Sequence, residues 1–411
     1  INQGDGTFVE DIGRLTDNPF AWTSSVALAD LDGDHMPEII EVNYVDDPAA
    51  FSTRCRENYL DCQPQAFGQA QDRVLRGVED GTFQPWQSFA DASPTARLGF
   101  GVIVSNFDHN QGNDFFISND GDFNHFWLSV EAAAGSAGLY EVVESAGVYG
   151  CSIGRGGGSQ ACMGVTAGDL NRDGMIDLHV TNFRNEPVNL FVQSESGTFT
   201  DLASRFGLAE PSFGVLGFGT QAADLDNDGW LDLAVLNGHV YDARFEGTPL
   251  QMLPQLFRGG AGAFVLQETP SSGPYWQRKA VGRTLATLDW NRDGRMDLLA
   301  NHLDQPVALL QNDSETQNWL QLELVGVTSE REAIGARVDV DAGGDHWVGW
   351  QVGGDGYMCS NEPVIHFGLG TASAITQVEI DWPSGRTQLL SNLKPNHRYL
   401  LIEGVVEPQE R

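Results

Sequence analysis

A nine-residue acidic motif recurs five times along this 411-residue chain, and it restricts the fold to a repetitive one. In every copy, oxygen-bearing side chains occupy positions 1, 3, 5 and 9, and an apolar run follows. Gly and small or β-branched residues precede most copies, so each copy is predicted to be a hairpin loop between two strands. We call the copies acidic loops 1 to 5, and they span Asp30–Glu38, Asn106–Asp114, Asp169–Asp177, Asp224–Asp232 and Asp289–Asp297.

A second motif, which lies between the acidic loops, predicts two more strands in each unit. It is a Gly-containing turn followed by Phe, which is typical of a hairpin turn that enters a strand. A repeating unit of four strands is typical of a propeller blade, and a solenoid is the alternative. The sequence therefore predicts an all-β propeller with five visible blades, and its turns end at Phe8, Phe83, Phe199 and Phe264.

The first and last segments of the repeat do not combine into one complete blade. Residues 1–12 contain only the second half of a blade, which is its turn and outer strand. The stretch from Asp289 to Gly326 supplies four strands, the last of them at Trp319–Val325. Residues 1–12 therefore lack a partner in the ring. We expect either that upstream sequence is missing or that another segment completes this blade.

The acidic loops are predicted to bind calcium. Alternating positions on a curled loop point to one centre, and six or seven hard oxygen ligands suit Ca²⁺ better than Mg²⁺, which demands stricter octahedral geometry. An EF-hand is excluded, because it needs Glu at position 12, where only loop 1 has one, Glu41. Zinc would need Cys or His ligands, which these positions lack. The predicted ligands, with the residue at position 7 binding through its carbonyl oxygen, are Asp30, Asp32, Asp34, Met36, Glu38, Asn106, Asp108, Asn110, Gly112, Asp114, Asp169, Asn171, Asp173, Met175, Asp177, Asp224, Asp226, Asp228, Trp230, Asp232, Asp289, Asn291, Asp293, Arg295 and Asp297.

The number of carboxylates ranks the five sites. Loops 1 and 4 carry four each, loops 3 and 5 carry three, and loop 2 carries two. Loop 2 also lacks Gly at position 6, so it is predicted to be the weakest site. We expect about five calcium ions with a structural role, because each ion ties together carboxylates that would otherwise repel one another.

The charge balance limits the possible partners. Lys and Arg total 23 against 57 Asp and Glu, which gives a net charge of −34. Such a field repels nucleic acid and anionic membrane surfaces. The chain is nevertheless 41% hydrophobic and 10% aromatic, which is typical of a folded protein rather than an acidic disordered tail. No apolar run approaches the length of a transmembrane helix.

The cysteines and the first residues bear on the compartment. Cys55 and Cys62 lie in one polar loop, and Cys151 and Cys162 flank a Gly-rich stretch, so two loop-closing disulfides are predicted, with Cys359 left over. The alternative is reduced core thiols in a cytosolic protein. Residues 1–6 lack the basic and apolar regions of a signal peptide, so any such peptide was removed or was never included. The composition favours a secreted protein, extracellular or periplasmic.

A candidate binding funnel is predicted on the propeller face opposite the acidic loops. An Asn recurs there in all five blades, and polar ligands often bind in such a depression. The alternative is that each Asn caps a strand end or turn. The chain has no Gly-x-Ser-x-Gly elbow, His-Glu-x-x-His or phosphate-binding Gly loop, so no catalytic residue is predicted. The predicted ligand-binding residues are Asn43, Tyr44, Asn119, Asn182, Asn237, His239, Arg283, Asn301 and His302.

The loop-and-strand repeat resembles the FG-GAP or VCBS repeat of integrin-type β-propellers, which implies seven blades in a full protein. The carboxy-terminal part resembles the ASPIC/UnbV domain of the cartilage acidic protein family, which follows such repeats. It departs from the family pattern at Met358–Asn361, so no role is carried over to this loop. The segments that carry the second resemblance are Ala333–Val340, Gly353–Tyr357, His366–Gly370, Val378–Gly385 and Leu393–Asn396.

These observations divide the chain and predict its role. Residues 1–326 are predicted to form the propeller, with 1–12 as the tail of an incomplete blade, residues 327–403 a small β-sandwich-like domain, and 404–411 a tail. The favoured function is a secreted, calcium-binding module for extracellular binding, adhesion or assembly with a protein or glycan partner. The alternative is an enzyme, such as a lyase, hydrolase or biosynthetic enzyme, that uses the central funnel.

Overall fold

Each acidic loop joins the first two strands of one antiparallel blade, as the sequence predicts. The short, polar turns set the position of each strand pair, and the apolar run that follows each loop forms the second strand. The prediction of an all-β propeller with five visible blades is confirmed. The computed structural model describes residues 2–10, 12–14, 21–53, 62, 64–92, 96–110, 112–134, 139–242, 244, 247–268, 272–315 and 317–411.

Blades 1 and 2 each contain four strands in antiparallel order. A short helix, α1 (Gln87–Ala92), follows blade 1, and α2 (Ala146–Tyr149) follows blade 2. In chain order the strands are β1 (Thr23–Ala29), β2 (Glu38–Asn43), β3 (Arg73–Gly77), β4 (Phe83–Pro85), β5 (Gly99–Ser105), β6 (Asp114–Asp122), β7 (His125–Glu131) and β8 (Tyr140–Glu144).

Blades 3 and 4 repeat this order, whereas blade 5 has three strands among the described residues. The helix α3 (Ala209–Phe213) lies between blades 3 and 4. The strands are β9 (Gln160–Gly168), β10 (Asp177–Asn182), β11 (Asn189–Gln193), β12 (Phe199–Asp201), β13 (Gly217–Ala223), β14 (Asp232–Asn237), β15 (Gln255–Arg258), β16 (Val265–Leu266), β17 (Gly282–Leu288), β18 (Asp297–His302) and β19 (Ala308–Leu310).

The strand that we assigned to the end of blade 5 belongs to another sheet, so that prediction is wrong. Residues Asn318–Val325 form β20, which pairs in parallel with the strand His397–Ile402 and antiparallel with Ile365–Gly370. Its alternating apolar side chains fill the core of the carboxy-terminal domain instead, where Leu320 and Leu322 are fully buried. We propose that this domain begins at β20.

The carboxy-terminal domain is a sandwich of two four-stranded sheets. The strand order in one sheet is Ile365–Gly370, Asn318–Val325, His397–Ile402 and Gln409–Glu410, and in the other it is Asp345–Trp350, Arg337–Ala342, Ile375–Asp381 and Thr387–Leu390. A single apolar core lies between the sheets and includes Val338, Val340, Val378 and Ile380. The strands after β20 are β21 (Arg337–Ala342), β22 (Asp345–Trp350), β23 (Gly353–Gly354), β24 (Ile365–Gly370), β25 (Ile375–Asp381), β26 (Thr387–Leu390), β27 (His397–Ile402) and β28 (Gln409–Glu410).

The turn predicted near the amino terminus is present. The Gln3 amide donates to the Thr7 carbonyl at 3.0 Å, and in the corresponding turn of blade 1 the Val78 amide donates to the Thr82 carbonyl at the same distance. An isolated bridge joins Asn2 to Phe8. Residues 2–8 therefore have the local geometry of the turn that leads into an outer strand. The completion of this half blade by another segment stays a prediction.

The blades pack face to face through alternate residues of their strands. Val102 and Val104 of β5 pack against Ala27 and Ala29 of β1, and all four side chains are buried. Since side chains alternate across a strand, each blade has one face for the preceding blade and one for the following blade. Interior strands are accordingly buried on both faces: every residue of β5 is buried.

Candidate functional site

The carboxylate at position 9 of each acidic loop braces the blade. In loop 3, Asp177 accepts a hydrogen bond from the Leu170 amide at 3.2 Å and, through its other oxygen, one from the Gln193 amide of β11 at 2.9 Å. All five loops contain this pair of bonds, one within the loop and one to the third strand or to one of the two residues that follow it. The accepting residues are Glu38, Asp114, Asp177, Asp232 and Asp297.

The carboxylates at positions 1, 3 and 5 curl the loop by accepting hydrogen bonds from amides a few residues ahead. In loop 4, Asp224 accepts from the amides of Asp228 at 3.1 Å and Gly229 at 2.7 Å, and Asp228 accepts from the Trp230 amide at 3.0 Å. The backbone is left-handed at position 4, where Asn227 has φ +58°, and at position 6, where Gly229 has φ +91°. Asn and Gly tolerate this conformation best.

The two loops with four carboxylates bring them closest together. One oxygen from each of Asp30, Asp32 and Glu38 lies within 4.8 Å of the others, and the same holds for Asp224, Asp226 and Asp228. Clustered carboxylate oxygens on a tight loop are the donor set that calcium prefers. The residues therefore fit a calcium ion in loops 1 and 4. In loop 2, position 6 is Gln111, which lies outside the described residues.

Burial and mutual repulsion raise the pKa values of several carboxyls in the acidic loops. Burial, followed by the nearby charge of Asp32, raises the pKa of Glu38 to about 9. Burial raises the pKa of Asp232 to about 7 and that of Asp169 to about 6. A carboxylate that is removed from water without a countercharge binds a proton more tightly, and a divalent cation supplies that countercharge.

Two arginines supply part of the countercharge, and sequence reasoning missed them. Arg76 of β3 pairs with Asp32 and lies 3.3 Å from Asp34. Arg258 of β15 lies 3.0 Å from Asp228 and also pairs with Asp226. Each arginine comes from the third strand of its blade and contacts positions 3 and 5 of the most acidic loops. The two arginines lie at different distances along the chain from their loops, so spacing in the sequence does not reveal their shared position.

A segment of the sandwich domain fills the centre of the propeller. This segment, residues 351–362, is called the channel insert below. Gly353 and Gly354 pair with Val104 and Ile103 of β5, and the amide of Gly356 donates to the Val165 carbonyl of β9 at 2.6 Å. A Cβ on Gly354 would lie 2.1 Å from the Val102 carbonyl oxygen, so only Gly fits there.

The insert also contacts the inner strands of blades 4 and 5. The Asn361 amide nitrogen donates to Gln221 of β13 at 2.8 Å, and its oxygen accepts from the Thr287 amide of β17 at 3.0 Å. The Cys359 thiol donates to the Leu285 carbonyl at 3.2 Å. The insert is therefore hydrogen-bonded to the inner strands of blades 2, 3, 4 and 5.

The tip of the insert reaches the face opposite the acidic loops. Tyr357 is buried, with its ring 5.1 Å from that of Phe218 and 5.7 Å from that of Phe100. Both Phe residues lie near the start of an inner strand. The funnel that sequence analysis proposed as an open site is thus occupied by the chain itself. Its ligand-binding role stays a prediction.

Four of the five recurring asparagines make capping contacts. Asn43 donates to the Gln71 carbonyl, Asn119 to Phe123, Asn182 to Pro187 and Asn237 to Leu253, at distances of 2.6 to 2.9 Å. All four are buried. Asn301 is exposed, and its oxygen accepts from the next amide in the chain, that of His302. This arrangement supports the capping alternative for the four buried residues.

The other predicted funnel residues are also engaged within the fold. The Tyr44 hydroxyl donates to Asp120 at 2.5 Å. The Arg283 guanidinium lies 4.0 Å from the Phe218 ring centre and donates to the His239 carbonyl at 3.1 Å. The His302 Nε2 lies 2.7 Å from the Tyr275 hydroxyl. Arg283 and His239 are thus brought together, while His302 contacts a different residue.

The predicted disulfide between Cys151 and Cys162 is wrong, because both are free thiols. Both are buried in the apolar core between blades 2 and 3. The other predicted pair cannot be placed, since Cys55 lies outside the described residues. Among the described residues, no helix has the length and apolar character needed to span a membrane.

Two protein families match parts of the chain. The family described as ASPIC and UnbV matches residues 326–408, and the FG-GAP-like repeat matches residues 169–235, which include acidic loops 3 and 4. Cartilage acidic protein 1 of Mus musculus is 28% identical over 298 residues, and the same protein of Homo sapiens is equally similar. These matches cover 70% of this chain but 42% and 41% of the relatives, so the chain spans less than half the length of the relatives it matches.

Similar solved structures include the rhamnogalacturonan lyase YesW and the BP39L lectin from Burkholderia pseudomallei. The lyase has 12% identity and a TM-score of 0.37, with 96% of this chain and 76% of that chain covered. The lectin has 10% identity and a TM-score of 0.36, with 91% and 98% covered. Similarity at this level indicates nothing about what this chain binds.

Proposed function

We propose that this chain, which matches the FG-GAP-like repeat over residues 169–235 and the ASPIC and UnbV family over residues 326–408, acts as a calcium-stabilised extracellular module that assembles with a protein partner. The observation that carries the proposal is a pair of apolar faces on blades 5 and 1 that no other described residue covers, which we call the flank. On this flank both end blades expose the apolar faces that other blades bury against each other.

The blade 1 side of the flank is apolar and exposed. Val26 is 51% exposed and Leu28 is 52% exposed. Val102 and Val104 hold the corresponding positions in blade 2, counted back from the acidic loop, and they are buried against blade 1. Val26 and Leu28 therefore have the side chains of a blade-packing face without a described blade to pack on.

The blade 5 side of the flank also exposes apolar residues that are buried at the corresponding positions of another blade. Leu299 is 39% exposed and Leu309 is 42% exposed. The corresponding residues of blade 4, Ala234 and Leu256, pack against blade 5. Exposed apolar patches on soluble proteins mark interaction surfaces. A protein that presents an apolar β-sheet face, as a further blade does, suits this flank better than a glycan, since glycans need polar partners.

Three observations support the calcium-bound, extracellular part of the proposal. Five loops in register present oxygen ligands, and the two richest cluster their carboxylates within 4.8 Å. Burial raises the pKa values of Glu38 and Asp232, and a divalent cation would supply the countercharge that favours their ionised form. The relatives bear the name of cartilage, which is an extracellular matrix.

The partner is tested by site-specific photo-crosslinking. A photoreactive phenylalanine analogue replaces Leu28 in one variant and Leu309 in another. Val265 of the outer strand β16 is the control position, because it is also apolar and 60% exposed. We expect both flank positions to crosslink to the same protein in an extract of the native source, and the control position not to. Equal crosslinking at all three positions, or none at the flank, would contradict the proposal.

A further inference from the structure

The residue at position 4 of three acidic loops contacts the sandwich domain. The His109 Nδ1 lies 3.4 Å from the Arg337 guanidinium, Arg172 donates to the His346 carbonyl at 3.0 Å, and the Asn227 oxygen lies 2.7 Å from His366. In these loops position 4 has a left-handed backbone, with φ between +58° and +60°. The same curl that gathers the carboxylates thus aims these side chains at the other domain.

Other parts of the acidic loops make the same connection. Gln321 of β20 donates to the position 1 carboxylate Asp289 at 2.9 Å, and the Asp289 amide donates to Glu362 of the channel insert at 2.8 Å. Asn113 of loop 2 donates both to the Asp30 carbonyl in loop 1 and to the Ile334 carbonyl in the sandwich domain. Loops 2 to 5 are therefore linked to the sandwich domain directly, and loop 1 is linked to it through Asn113.

We propose that calcium in the acidic loops controls the docking of the sandwich domain, and that release of calcium withdraws the channel insert from the propeller. The inference rests on the calcium binding proposed above. Without the ion, the carboxylates that lie within 4.8 Å of one another in loops 1 and 4 repel, so these loops open and Asn227, at position 4 of loop 4, leaves its left-handed conformation. The contact of Asn227 with His366 is then lost.

The consequence is a second exposed surface in the calcium-free protein. Withdrawal of the insert uncovers Phe100 and Phe218, on which Tyr357 now packs, together with the Cys359 thiol. With calcium bound, this surface stays inside the molecule. The fold therefore has two arrangements with different surfaces, and the calcium concentration selects between them.

Thiol labelling tests this inference. Cys359 reports on the insert, while Cys151 and Cys162 report on the propeller core, where both are buried. Burial raises the pKa of the Cys359 thiol to about 12, so the docked form reacts slowly. We expect an excess of chelator to speed labelling of Cys359 at least tenfold, with labelled peptides identified by mass spectrometry, while Cys151 and Cys162 stay protected.

A variant tests the route through position 4. Asn227→Ala removes the contact with His366, so we expect faster Cys359 labelling even with calcium present. Asn185→Ala is the matched control, because Asn185 also has a left-handed backbone, φ +70°, but lies outside the acidic loops. We expect its labelling rate to equal that of the unchanged protein.

Three results would overturn the inference. If elemental analysis finds bound calcium but chelation leaves Cys359 protected, docking is independent of calcium, although the proposed function stands. If chelation exposes all three thiols together, the ion holds the whole propeller rather than the insert. If no calcium is bound at all, the calcium-stabilised part of the proposed function fails as well.

Discussion

The imidazole Nε2 of His366 lies 2.7 Å from the side-chain oxygen of Asn227. Burial lowers the pKa of His366 to about 4, so the ring is neutral at physiological pH and its Nε2 carries the proton that Asn227 accepts. The Asn227 amide nitrogen donates in turn to the Gly294 carbonyl of loop 5 at 3.1 Å. One side chain thus joins two acidic loops and the sandwich domain.

Removal of calcium is expected to lower the melting temperature. An ion that binds only the folded loops contributes about 2.7 kcal/mol per site at a free concentration of 100 times its dissociation constant. Differential scanning calorimetry with and without chelator measures the effect. An unchanged melting temperature in excess chelator would show that calcium has no structural role.

The ranking of the sites gives a separate expectation. Asp226→Asn removes one of the four carboxylates of loop 4, whereas Asp108→Asn removes one of two in loop 2. Since loop 2 is expected to bind most weakly, we expect Asp108→Asn to leave the melting temperature in low calcium nearly unchanged. Asp226→Asn should lower it by several degrees. Calcium titration calorimetry provides the site count, and equal effects of the two substitutions would refute the ranking.

The brace at position 9 is expected to matter even without metal. Asp177→Asn replaces one accepting oxygen with an amide nitrogen that faces a backbone donor, which leaves a buried amide unpaired at a cost of about 1–3 kcal/mol. Asp173→Asn is the matched control, because it affects the same loop at an exposed position. Urea unfolding in excess chelator should show the loss only for Asp177→Asn. Equal losses would mean that the brace contributes nothing.

Gly354 is expected to be irreplaceable in the channel insert. Gly354→Ala meets two penalties, a left-handed backbone with φ +81° and a Cβ placed 2.1 Å from a carbonyl oxygen. Gly344→Ala is the control, because it shares the left-handed backbone, φ +94°, but has open space around its Cβ. We expect the control to lose about 1–2 kcal/mol of stability in urea unfolding, and Gly354→Ala to lose clearly more. Similar losses of stability in the two variants would show that the channel insert shifts to accommodate the added Cβ with no further loss of stability.

Asp355 of the insert is expected to make stability depend on pH. Burial raises its pKa from 3.8 to about 7 in the folded protein. The folded state therefore keeps a proton that the unfolded state releases, so the contribution of this group to stability is largest below pH 4 and is lost as the pH rises to 7. We expect Asp355→Asn to flatten that part of the stability profile. Asp345→Asn, at an exposed position of β22, should leave its slope unchanged.

The local elements were predictable because their signals are local. The acidic loops form where predicted; in loops 3 and 5, for example, each side chain at positions 1, 3 and 5 accepts from an amide a few residues ahead. The Gly turn before Phe83 forms for the same reason: Asp80 accepts from the amide and hydroxyl of Thr82 at 2.9 and 2.6 Å. Hydrogen bonds between residues a few positions apart depend only on the local sequence, so they form without any other part of the chain.

Two wrong expectations have a common physical origin. The strand β20 was recognisable as a strand, but its sheet was not, because its partners β24 and β27 come much later in the chain. Cys151 and Cys162 flank one loop, yet spacing along the chain does not fix whether two thiols meet in a geometry that a disulfide accepts. Both questions depend on distances across the fold.

The sequence alone determined the repeat, the blades, the residue pattern of the acidic loops and the presence of a carboxy-terminal domain, because each follows from residue types at short, regular spacing. Only the tertiary structure decided that residues 351–362 fill the propeller channel, that Arg76 and Arg258 face the most acidic loops, and that Val26 and Leu28 are left exposed. These features depend on which surfaces meet when separate elements pack. The alternation of side chains along a strand identifies its two faces, but it does not identify the elements that pack on them.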